Sequence, residues 1–256
     1  MQKQIYTISA GRTGTAWLAS FLECNVSREA RSEIIHEPLN ARDFGVSMPD
    51  IRLMRLFNDE GNVSEVQSFW ARKFQSITAD FYAETNHTLA KVGLLENAQS
   101  FREAIDFRFI CLSRDIEQQA CSYLARHDFS NITIAWQWYL DPSYRRNLVN
   151  PAQFLKFGMI GLVLWYCREM EVRQLVYMNH FQDVLKIHHC ELTHLVESEQ
   201  SRRELSFFLG VEPMLTVPPP KNEGGNKLPD DVVRKVREIN RSIGFDSKEV
   251  LKKHVC

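Results

Sequence analysis

The sequence lacks the features that mark several large protein classes. Its 31 Lys and Arg residues nearly cancel its 32 Asp and Glu residues, and the formal net charge is −1, so no overall basic field predicts nucleic acid as a partner. It lacks a run of about 20 apolar residues, the length that a membrane-spanning helix needs. The longest apolar stretch, FGMIGLVLWYC, ends at the charged segment REMEVR. We therefore expect neither nucleic acid nor a membrane as partner.

Paired cysteines are also missing. The six cysteines are scattered without a CxxC motif, and most lie in apolar runs such as FRFICLS. This pattern is typical of buried free thiols in a reducing compartment. The first residues enter a strand-like pattern almost at once, without the basic, apolar and small-residue segments of a secretory signal. We therefore expect a cytoplasmic protein.

The sequence also contains no internal repeat and no low-complexity tract. With 256 residues, 44% hydrophobic and 25% charged, it has the ordinary composition of a globular protein. A chain of this length buries roughly 70–75% of the surface that its unfolded form exposes, which is enough for a sizeable core. We predict a single domain over residues 1–256.

Short apolar strands alternate with helices along the chain. Because the strands are apolar throughout, we predict an α/β fold with three layers, α/β/α, around a central parallel sheet. Ligands of such sheets bind at the carboxyl ends of the strands. The predicted strands are 4–9, 32–37, 107–113 and 184–189, and the predicted helices are 15–22, 64–82, 97–105, 116–126, 158–181, 198–209 and 229–243.

The first strand-to-helix junction, SAGRTGTAWL, has the composition of an anion-binding loop. Backbone N–H groups at a helix start bind anions, and the helix dipole assists them. Gly11 and Gly14 allow close backbone approach, Thr13 and Thr15 add hydroxyl donors, and Arg12 adds a permanent charge. The alternative is an ordinary corner between a strand and a helix.

A nucleoside triphosphatase loop would carry Lys directly after its second Gly. Here Gly14 is followed by Thr15 and Ala16, so the residue that binds the outer phosphates is missing. A nucleotide kinase or triphosphatase of the same broad fold remains an alternative, as does a protein that only binds a nucleotide.

The second junction, FICLSRDIEQQACSYL, carries Arg114 at the end of a predicted strand and Ser122 eight residues later on the next helix. A long Arg side chain and a hydroxyl from the adjoining helix can meet at one anion. In the alternative interpretation, Arg114 pairs with Asp115 and Ser122 is an incidental helix residue.

Together the two junctions resemble those of the sulfotransferases, so the resemblance implies a P-loop-like sulfotransferase fold. GRTGTAWL is similar to that family's phosphosulfate loop. The resemblance implies that Arg12, Thr13, Gly14 and Thr15 hold the 5′-phosphosulfate of 3′-phosphoadenosine 5′-phosphosulfate (PAPS). Ala16 stands where the family commonly has a second hydroxyl residue, so only its backbone N–H remains as a donor.

The rest of the resemblance is spread along the chain. The spacing R-x7-S-Y from Arg114 to Ser122 is similar to the family's site for the 3′-phosphate, which ATP lacks. The segment that ends in FFLG is similar to a late architectural segment of the family. KNEGGNK stands where the family closes a basic, Gly-rich segment over the nucleotide, which makes Lys221 and Lys227 candidates; a solvated linker is the alternative. The family works without a metal.

Sulfuryl transfer to an alcohol needs a general base for the acceptor proton. EIIHEPLN carries Glu37 in a Glu-Pro-Leu sequence like that of carbohydrate sulfotransferases, and the resemblance makes Glu37 the first candidate. His36 is the second, since an imidazole titrates near neutrality and the cytosolic small-molecule members use a His. YAETNHTLAK offers Glu84 and His87 as further acceptor contacts or bases. The alternatives are an exposed acid on a turn for Glu37, a structural His at a strand end for His36, and a polar helix-to-strand connection for Glu84 and His87.

Two further groups of residues carry side chains that are common in functional sites. His188, His189, Cys190 and His194 do not predict a metal site, because neighbouring strand residues point to opposite faces. Residues 132–155 are rich in aromatic and basic side chains that suit either an acceptor pocket or the core. These are Trp136, Trp138, Tyr139, Tyr144, Arg145 and Arg146.

The function predicted from the sequence is that of a PAPS-dependent sulfotransferase. It transfers a sulfuryl group to a hydroxyl, or as a second choice an amine, of a carbohydrate or small-molecule acceptor. Glu37, Arg12 and His36 are the predicted catalytic residues.

Overall fold

The structure, a computed structural model, describes residues 1–26, 31–38, 42–220 and 227–254, with the backbone alone at 132–134. Within these ranges the centre is a parallel sheet of five strands. The strands are β1 (Gln2–Ile8), β2 (Ser32–Ile35), β3 (Phe81–Glu84), β4 (Ile105–Ser113) and β5 (Lys186–Glu191). Their order is β2-β3-β1-β4-β5, and every neighbouring pair is parallel.

Helices fill most of the remaining described chain, and two short 3₁₀ turns lie between β3 and β4. The helices are α1 (Thr15–Asn25), α2 (Ile51–Glu60), α3 (Ser64–Ser76), α4 (Leu94–Ala98), α5 (Ile116–Ala125), α6 (Ile132–Trp138), α7 (Ala152–Leu155), α8 (Gly158–Phe181), α9 (Leu192–Glu197), α10 (Glu199–Leu209), α11 (Asp230–Ile243) and α12 (Ser247–His254), and the 3₁₀ turns are Leu89–Lys91 and Gln99–Phe101.

Both faces of the sheet are buried, each in its own core. Side chains alternate along each strand, so Ile5 of β1 points to one face and Tyr6 to the other. The first face packs against α1, α9 and α10. The second packs against α3, α4, α5 and α8 in a larger core. The predicted α/β class, with a parallel sheet between two helical layers, is confirmed.

Helix α8 holds the carboxyl ends of the two central strands. Gln174 donates through Nε2 to the carbonyl oxygens of Ile8 at 2.8 Å and Leu112 at 3.0 Å. Tyr166 donates its hydroxyl to the carbonyl oxygen of Ala10 at 2.6 Å. Because these carbonyls lie at the ends of β1 and β4 and just beyond β1, the bonds fix the place where the first loop leaves the sheet.

The helix predicted over 64–82 is confirmed over 64–76 and wrong over 77–82. Helix α3 ends at Ser76, and Phe81 begins strand β3. The apolar spacing through Phe69 and Phe74 is that of a helix, and Phe81 continues it by coincidence, although this ring packs in the core on the opposite face of the sheet. The helix predicted over 97–105 is also wrong: α4 ends at Ala98, a 3₁₀ turn follows, and β4 has begun by residue 105. None of the described helices is long and apolar enough to span a bilayer.

Candidate functional site

A cavity of about 670 Å³ lies at the carboxyl edge of the sheet. The segments that follow all five strands contribute to its wall, because parallel strands end at the same edge. It brings together residues predicted separately from the sequence. These are Arg12, Gly14, Thr15, Ala16, His36, Glu37, His87, Arg114, Ser122 and Tyr139.

The loop after β1 has an unusual backbone. Gly11, Arg12 and Gly14 all have positive φ, at 89°, 55° and 92°. A Cβ atom at Gly14 would lie 2.6 Å from the side chain of Leu192, and its φ of 92° would strain any other residue there. No side chain caps the start of α1. Its first N–H groups are therefore left for an anion, as at other helix N-termini.

Two guanidinium groups meet beside this loop. Arg12 donates through Nε to the hydroxyl of Ser122 at 3.0 Å, and Arg114 donates through Nη1 to the carbonyl oxygen of Arg12 at 3.3 Å. Burial lowers the pKa of Arg114, and the nearby charge of Arg12 lowers it further. Asp115, the alternative partner of Arg114, instead accepts the backbone N–H of Gln118 at 2.8 Å and caps α5. A bound anion would relieve the repulsion between the two cations.

The sequence interpretation placed Arg12 and Ser122 at opposite ends of one ligand, but a hydrogen bond joins them in the structure. The reason is that α5, which follows β4, lies directly against the loop after β1. Gln119 of α5 donates to the carbonyl oxygen of Gly11 at 2.7 Å, and Tyr123 donates to that of Ala10 at 2.6 Å. The two predicted anion sites are therefore contiguous.

Not every predicted residue of the donor site reaches this cavity. Thr13 turns away from it and lines a space of about 40 Å³ beneath the loop. Its buried hydroxyl has no hydrogen-bond partner among the described residues. Lys227 does not line the cavity. Lys221 lies outside the described residues, so its predicted role stays a prediction.

Trp17 lines the cavity and was not singled out from the sequence. Its Nε1 donates to the carbonyl oxygen of Pro218 at 3.2 Å, and its ring stacks on Phe21 with centroids 5.1 Å apart. Together with Leu192 it forms an apolar wall next to the anion-binding loop. The sequence did contain a signal for Trp17. A large aromatic residue on the first turn of a helix that follows an anion-binding loop is placed to contact a ligand.

Glu37 lines the same cavity, and its side chain is 18% exposed. Its Oε1 is 3.7 Å from Nε2 of His87, and its Oε2 is 3.9 Å from Nε2 of His36. Burial raises the pKa of Glu37, while the charges of His36, Lys91 and Arg12 and a backbone hydrogen bond at His87 oppose the rise. Glu37 also has a positive φ of 40°. A carboxylate with a raised pKa and loose partners is suited to accept a proton.

The two imidazole rings are anchored through their other nitrogens. Nδ1 of His36 is 2.8 Å from the carbonyl oxygen of Thr85. Nδ1 of His87 is 2.7 Å from Nζ of Lys91, and its ring stacks on Tyr139 with centroids 5.4 Å apart. Burial, with the charge of Lys91 as the second cause, lowers the pKa of His87 well below its usual value. His87 is therefore a neutral ring near pH 7.

Glu84, predicted as an acceptor contact, is sealed inside the protein and does not line the cavity. Its carboxylate accepts from the hydroxyl of Tyr82 at 2.6 Å and from Nδ2 of Asn86 at 3.0 Å. Nζ of Lys73 lies 2.6 Å away. The position of Glu84 as the last residue of the missed strand β3 explains the error.

The predicted acceptor segment contributes little to the cavity wall. Tyr139 lines it, while Trp138 packs edge-on against Phe44 with centroids 5.3 Å apart. Tyr144 is buried in the core. Arg126 and Asp128, which the sequence did not single out, line the cavity as an ion pair at 3.4 Å. In the described part of the chain, no group of three or more His, Cys, Asp or Glu side chains is placed to hold a metal ion.

A second, more open cavity of about 660 Å³ shares the side chain of Arg114 with the first. The charged groups that line it are mostly satisfied. Arg168 pairs with Glu171 at 2.9 Å, and Asn240 donates to Glu117 at 3.0 Å. The buried Nε of Arg168 is an exception, since it has no hydrogen-bond partner among the described residues.

No family model matches the chain, and no curated protein matches it. A similar solved structure is that of a sulfotransferase from Alicyclobacillus acidocaldarius. The alignment covers 100% of this chain and 96% of that chain, with 16% sequence identity and a TM-score of 0.49. Because identity and score are both low, the function has to be inferred from the residues of the site.

Proposed function

We propose that the protein is a sulfotransferase that moves a sulfuryl group from PAPS to a hydroxyl of a carbohydrate or small-molecule acceptor. One observation carries this proposal: a single cavity joins a cationic, uncapped helix N-terminus to a carboxylate that no close ion pair among the described residues neutralises. Arg12 and Arg114 line one part of the wall, and Glu37 lines another. The first part suits a donor with two anionic ends, and the second suits the removal of a proton.

The residues of the cavity fit such a donor by their chemistry. The N–H groups at the start of α1 and the guanidinium of Arg12 suit a phosphosulfate. Arg114 and Ser122 suit the additional phosphate, which is the group that separates this donor from ATP. Trp17, Leu192 and Pro218 form an apolar surface that suits a purine base. The short distance between the two anion sites suits this donor, because its 3′-phosphate and its 5′-phosphosulfate are attached to the same ribose.

The reaction needs one proton acceptor and stabilisation of one leaving group. Glu37 removes the proton as the acceptor oxygen attacks sulfur, and the electron pair of the O–H bond becomes the new O–S bond. The bond between sulfur and the phosphate oxygen breaks, and its electron pair stays on the phosphate. Arg12 and the N–H groups of α1 stabilise the charge that develops there.

The decisive binding test is calorimetry with adenosine 3′,5′-bisphosphate, AMP and ATP. We expect the bisphosphate to bind far more tightly than AMP or ATP. Arg114→Ala should weaken the bisphosphate at least about tenfold, or ~1.4 kcal/mol, the loss expected for a charge-assisted contact. Arg203→Ala is the matched control, since this surface arginine pairs with Glu199 on α10 and should leave affinity unchanged. Equal affinity for AMP would refute the assigned second phosphate site.

Binding alone does not separate an enzyme from a binding protein of the same fold. The second test is therefore transfer of radioactive sulfate from PAPS to a panel of alcohols, sugars and amines. We expect transfer to at least one hydroxyl acceptor. Tight bisphosphate binding without transfer to any member of a wide panel would favour a non-catalytic nucleotide-binding protein.

A further inference from the structure

The carboxylate of Glu37 lies between two imidazole rings that are anchored in opposite ways. Each ring turns its Nε2 toward one oxygen of the carboxylate, at 3.7 Å for His87 and 3.9 Å for His36. Both distances are about 1 Å longer than a hydrogen bond, so a small side-chain movement closes either contact. A neutral imidazole carries its proton on one nitrogen only. Which ring donates and which accepts is therefore decided at the other nitrogen of each ring.

His36 presents a lone pair to Glu37. Its Nδ1 is 2.8 Å from the carbonyl oxygen of Thr85. A carbonyl oxygen can only accept, so Nδ1 must carry the proton. In the neutral ring, Nε2 is then unprotonated and faces Oε2 of Glu37.

His87 presents an N–H group to the same carboxylate. Its Nδ1 is 2.7 Å from Nζ of Lys91, whose other directions meet the carbonyl oxygen of Trp138 at 2.5 Å and the faces of Tyr139 and Tyr166 at 5.2 and 5.1 Å. All four neighbours of this amine are electron-rich: Nδ1 of His87, the carbonyl oxygen of Trp138 and the two tyrosine rings. The ammonium form of Lys91 therefore donates to Nδ1 of His87. The proton of the neutral His87 ring is then on Nε2.

Exposure separates the two rings as well. The side chain of His36 is 32% exposed, and that of His87 is 6% exposed. Lys91 is fully buried; burial lowers its pKa, and the charge of Glu37 opposes that shift. His36 can therefore exchange a proton with water, whereas His87 cannot take a second proton without placing two cations in the core.

We propose that Glu37 passes the acceptor's proton on to His36, while Lys91 fixes the tautomer of His87 so that this ring keeps its Nε2–H group turned toward the carboxylate. This assignment rests on the proposed function. The acceptor proton moves to Oε2 of Glu37 and then to the lone pair on Nε2 of His36, which restores the carboxylate. The imidazolium releases the Nε2 proton to water and returns to its starting tautomer. His87 and Lys91 are positioning residues in this scheme.

The charged groups that face Glu37 from other elements agree with this direction of transfer. Arg12 of the first loop and Lys91 of the turn after β3 both favour the ionised carboxylate. Tyr139 of the segment after α6 faces it as a neutral phenol, because burial raises the pKa of that hydroxyl above its usual value. The carboxylate is therefore regenerated after each transfer, and His36, the ring nearest to water, takes the proton.

Nitrogen-15 NMR of the histidine side chains tests the tautomers in the resting protein, without any activity. We expect His36 to be protonated at Nδ1 and His87 at Nε2, with His36→Asn and His87→Asn used to assign the signals. The same tautomer on both rings, or a proton on Nδ1 of His87, would overturn the proposal. This measurement does not depend on what the enzyme transfers, so it separates failure of the relay from failure of the proposed function.

Activity tests the direction of transfer. His36→Asn keeps an N–H group for Thr85 but removes the Nε2 acceptor. We expect a loss of roughly tenfold in kcat, less than the loss of the base itself, unchanged bisphosphate affinity, and partial recovery with added imidazole. His180→Asn is the matched control, because Nδ1 of His180 also contacts a carbonyl oxygen, that of Val176 at 3.0 Å. A kcat equal to the wild type, or a loss that imidazole does not restore, would overturn the role of His36.

Two substitutions test Lys91. Lys91→Gln keeps an N–H donor for Nδ1 of His87, whereas Lys91→Met fills the same space without one. We expect Lys91→Gln to retain the Nε2–H tautomer of His87 and most of the activity, and Lys91→Met to lose both. If Lys91→Met does not fold, the spectra of Lys91→Gln and of the wild type still test whether His87 has its proton on Nε2. A proton on Nδ1 of His87 in Lys91→Gln would contradict the positioning role.

Discussion

Two carboxylates lie at the carboxyl ends of neighbouring strands of the sheet and differ in how completely they are paired. Glu84 ends β3, opposite Ile35 at the end of β2, and Glu37 lies two residues beyond Ile35. Glu84 has an ammonium, a hydroxyl and an amide within 3.0 Å. The two imidazole nitrogens that face Glu37 lie farther away, at 3.7 and 3.9 Å. Two glutamates therefore occupy nearby positions, one with close hydrogen-bond and ion-pair partners among side chains and the other with more distant ones.

This difference separates a structural carboxylate from a reactive one. A fully hydrogen-bonded, ion-paired carboxylate holds its neighbours in place and is a poor proton acceptor, because protonation would break several strong contacts. A loosely held carboxylate at a cavity wall can gain and lose a proton at small structural cost. The sequence alone does not show which of the two carboxylates is reactive. The partners that surround each carboxylate in the structure do show it.

Glu37→Gln should give the largest effect on catalysis. The amide keeps the size of the side chain but cannot accept the proton, so we expect kcat to fall by roughly 10²–10⁴-fold with intact bisphosphate binding. Steady-state sulfuryl-transfer rates and calorimetry measure the two quantities. An unchanged rate would mean that His36 or His87 is the base. Glu37 would then no longer be the reactive member of the pair of carboxylates.

Glu84→Gln should give the largest effect on stability. The change leaves the ammonium of Lys73, whose side chain is 3% exposed, without its counter-charge in the core. We expect a loss of about 3–5 kcal/mol in the free energy of unfolding, measured by urea denaturation. The folded fraction should transfer sulfate at the wild-type rate. A stable but inactive Glu84→Gln protein would reverse the assigned roles of the two carboxylates.

Tyr82→Phe removes one of the hydrogen bonds to Glu84 and should have a smaller effect of the same kind. A hydrogen bond to a charged group contributes about 1.5–3 kcal/mol, and we expect a decrease in unfolding free energy within that range. Double-mutant cycles with Glu84→Gln should show coupling between the two positions. Additive effects would mean that the hydroxyl contributes nothing to holding the carboxylate.

The pH dependence of the rate gives the finest distinction. A general base must be ionised, so the rate falls as the pH falls through its pKa. Because burial raises the pKa of Glu37 above the ordinary value of 4.5, the decline should begin at a higher pH than for an exposed glutamate. The pH profile of kcat measures this limb, which should be absent from the residual activity of Glu37→Gln. A limb that persists in that variant would belong to another group.

Much of the fold follows from local pattern. The two central strands and the limits of α8 agree with the sequence, because long apolar runs and regular helical spacing are strong signals. Strand β3 was missed because its four residues include Glu84 and continue the apolar spacing of α3. Its burial depends on the strands on either side, which the local sequence does not specify.

Some features of the candidate site could likewise be predicted from the sequence, and others could not. Arg12, Arg114, Ser122 and Glu37 could be predicted as neighbours because all of them follow strands of one parallel sheet. The contact between Nζ of Lys91 and Nδ1 of His87 could not, since it depends on the carbonyl of Trp138 and the tyrosine rings, which lie more than 45 residues away in the chain. The hydrogen bond between Arg12 and Ser122 likewise depends on how α5 packs.

The left-handed backbone at two residues that line the cavity, one after β1 and one after β2, has a consequence for evolution and engineering. In the described part of the chain, three non-glycine residues have positive φ, and two of them are Arg12 and Glu37. An L-residue in this region is less stable by roughly 1–2 kcal/mol than one in a favoured conformation. Selection for thermostability alone would therefore tend to replace the two side chains that the proposed chemistry needs most, and a consensus for robustness would drift away from an active enzyme.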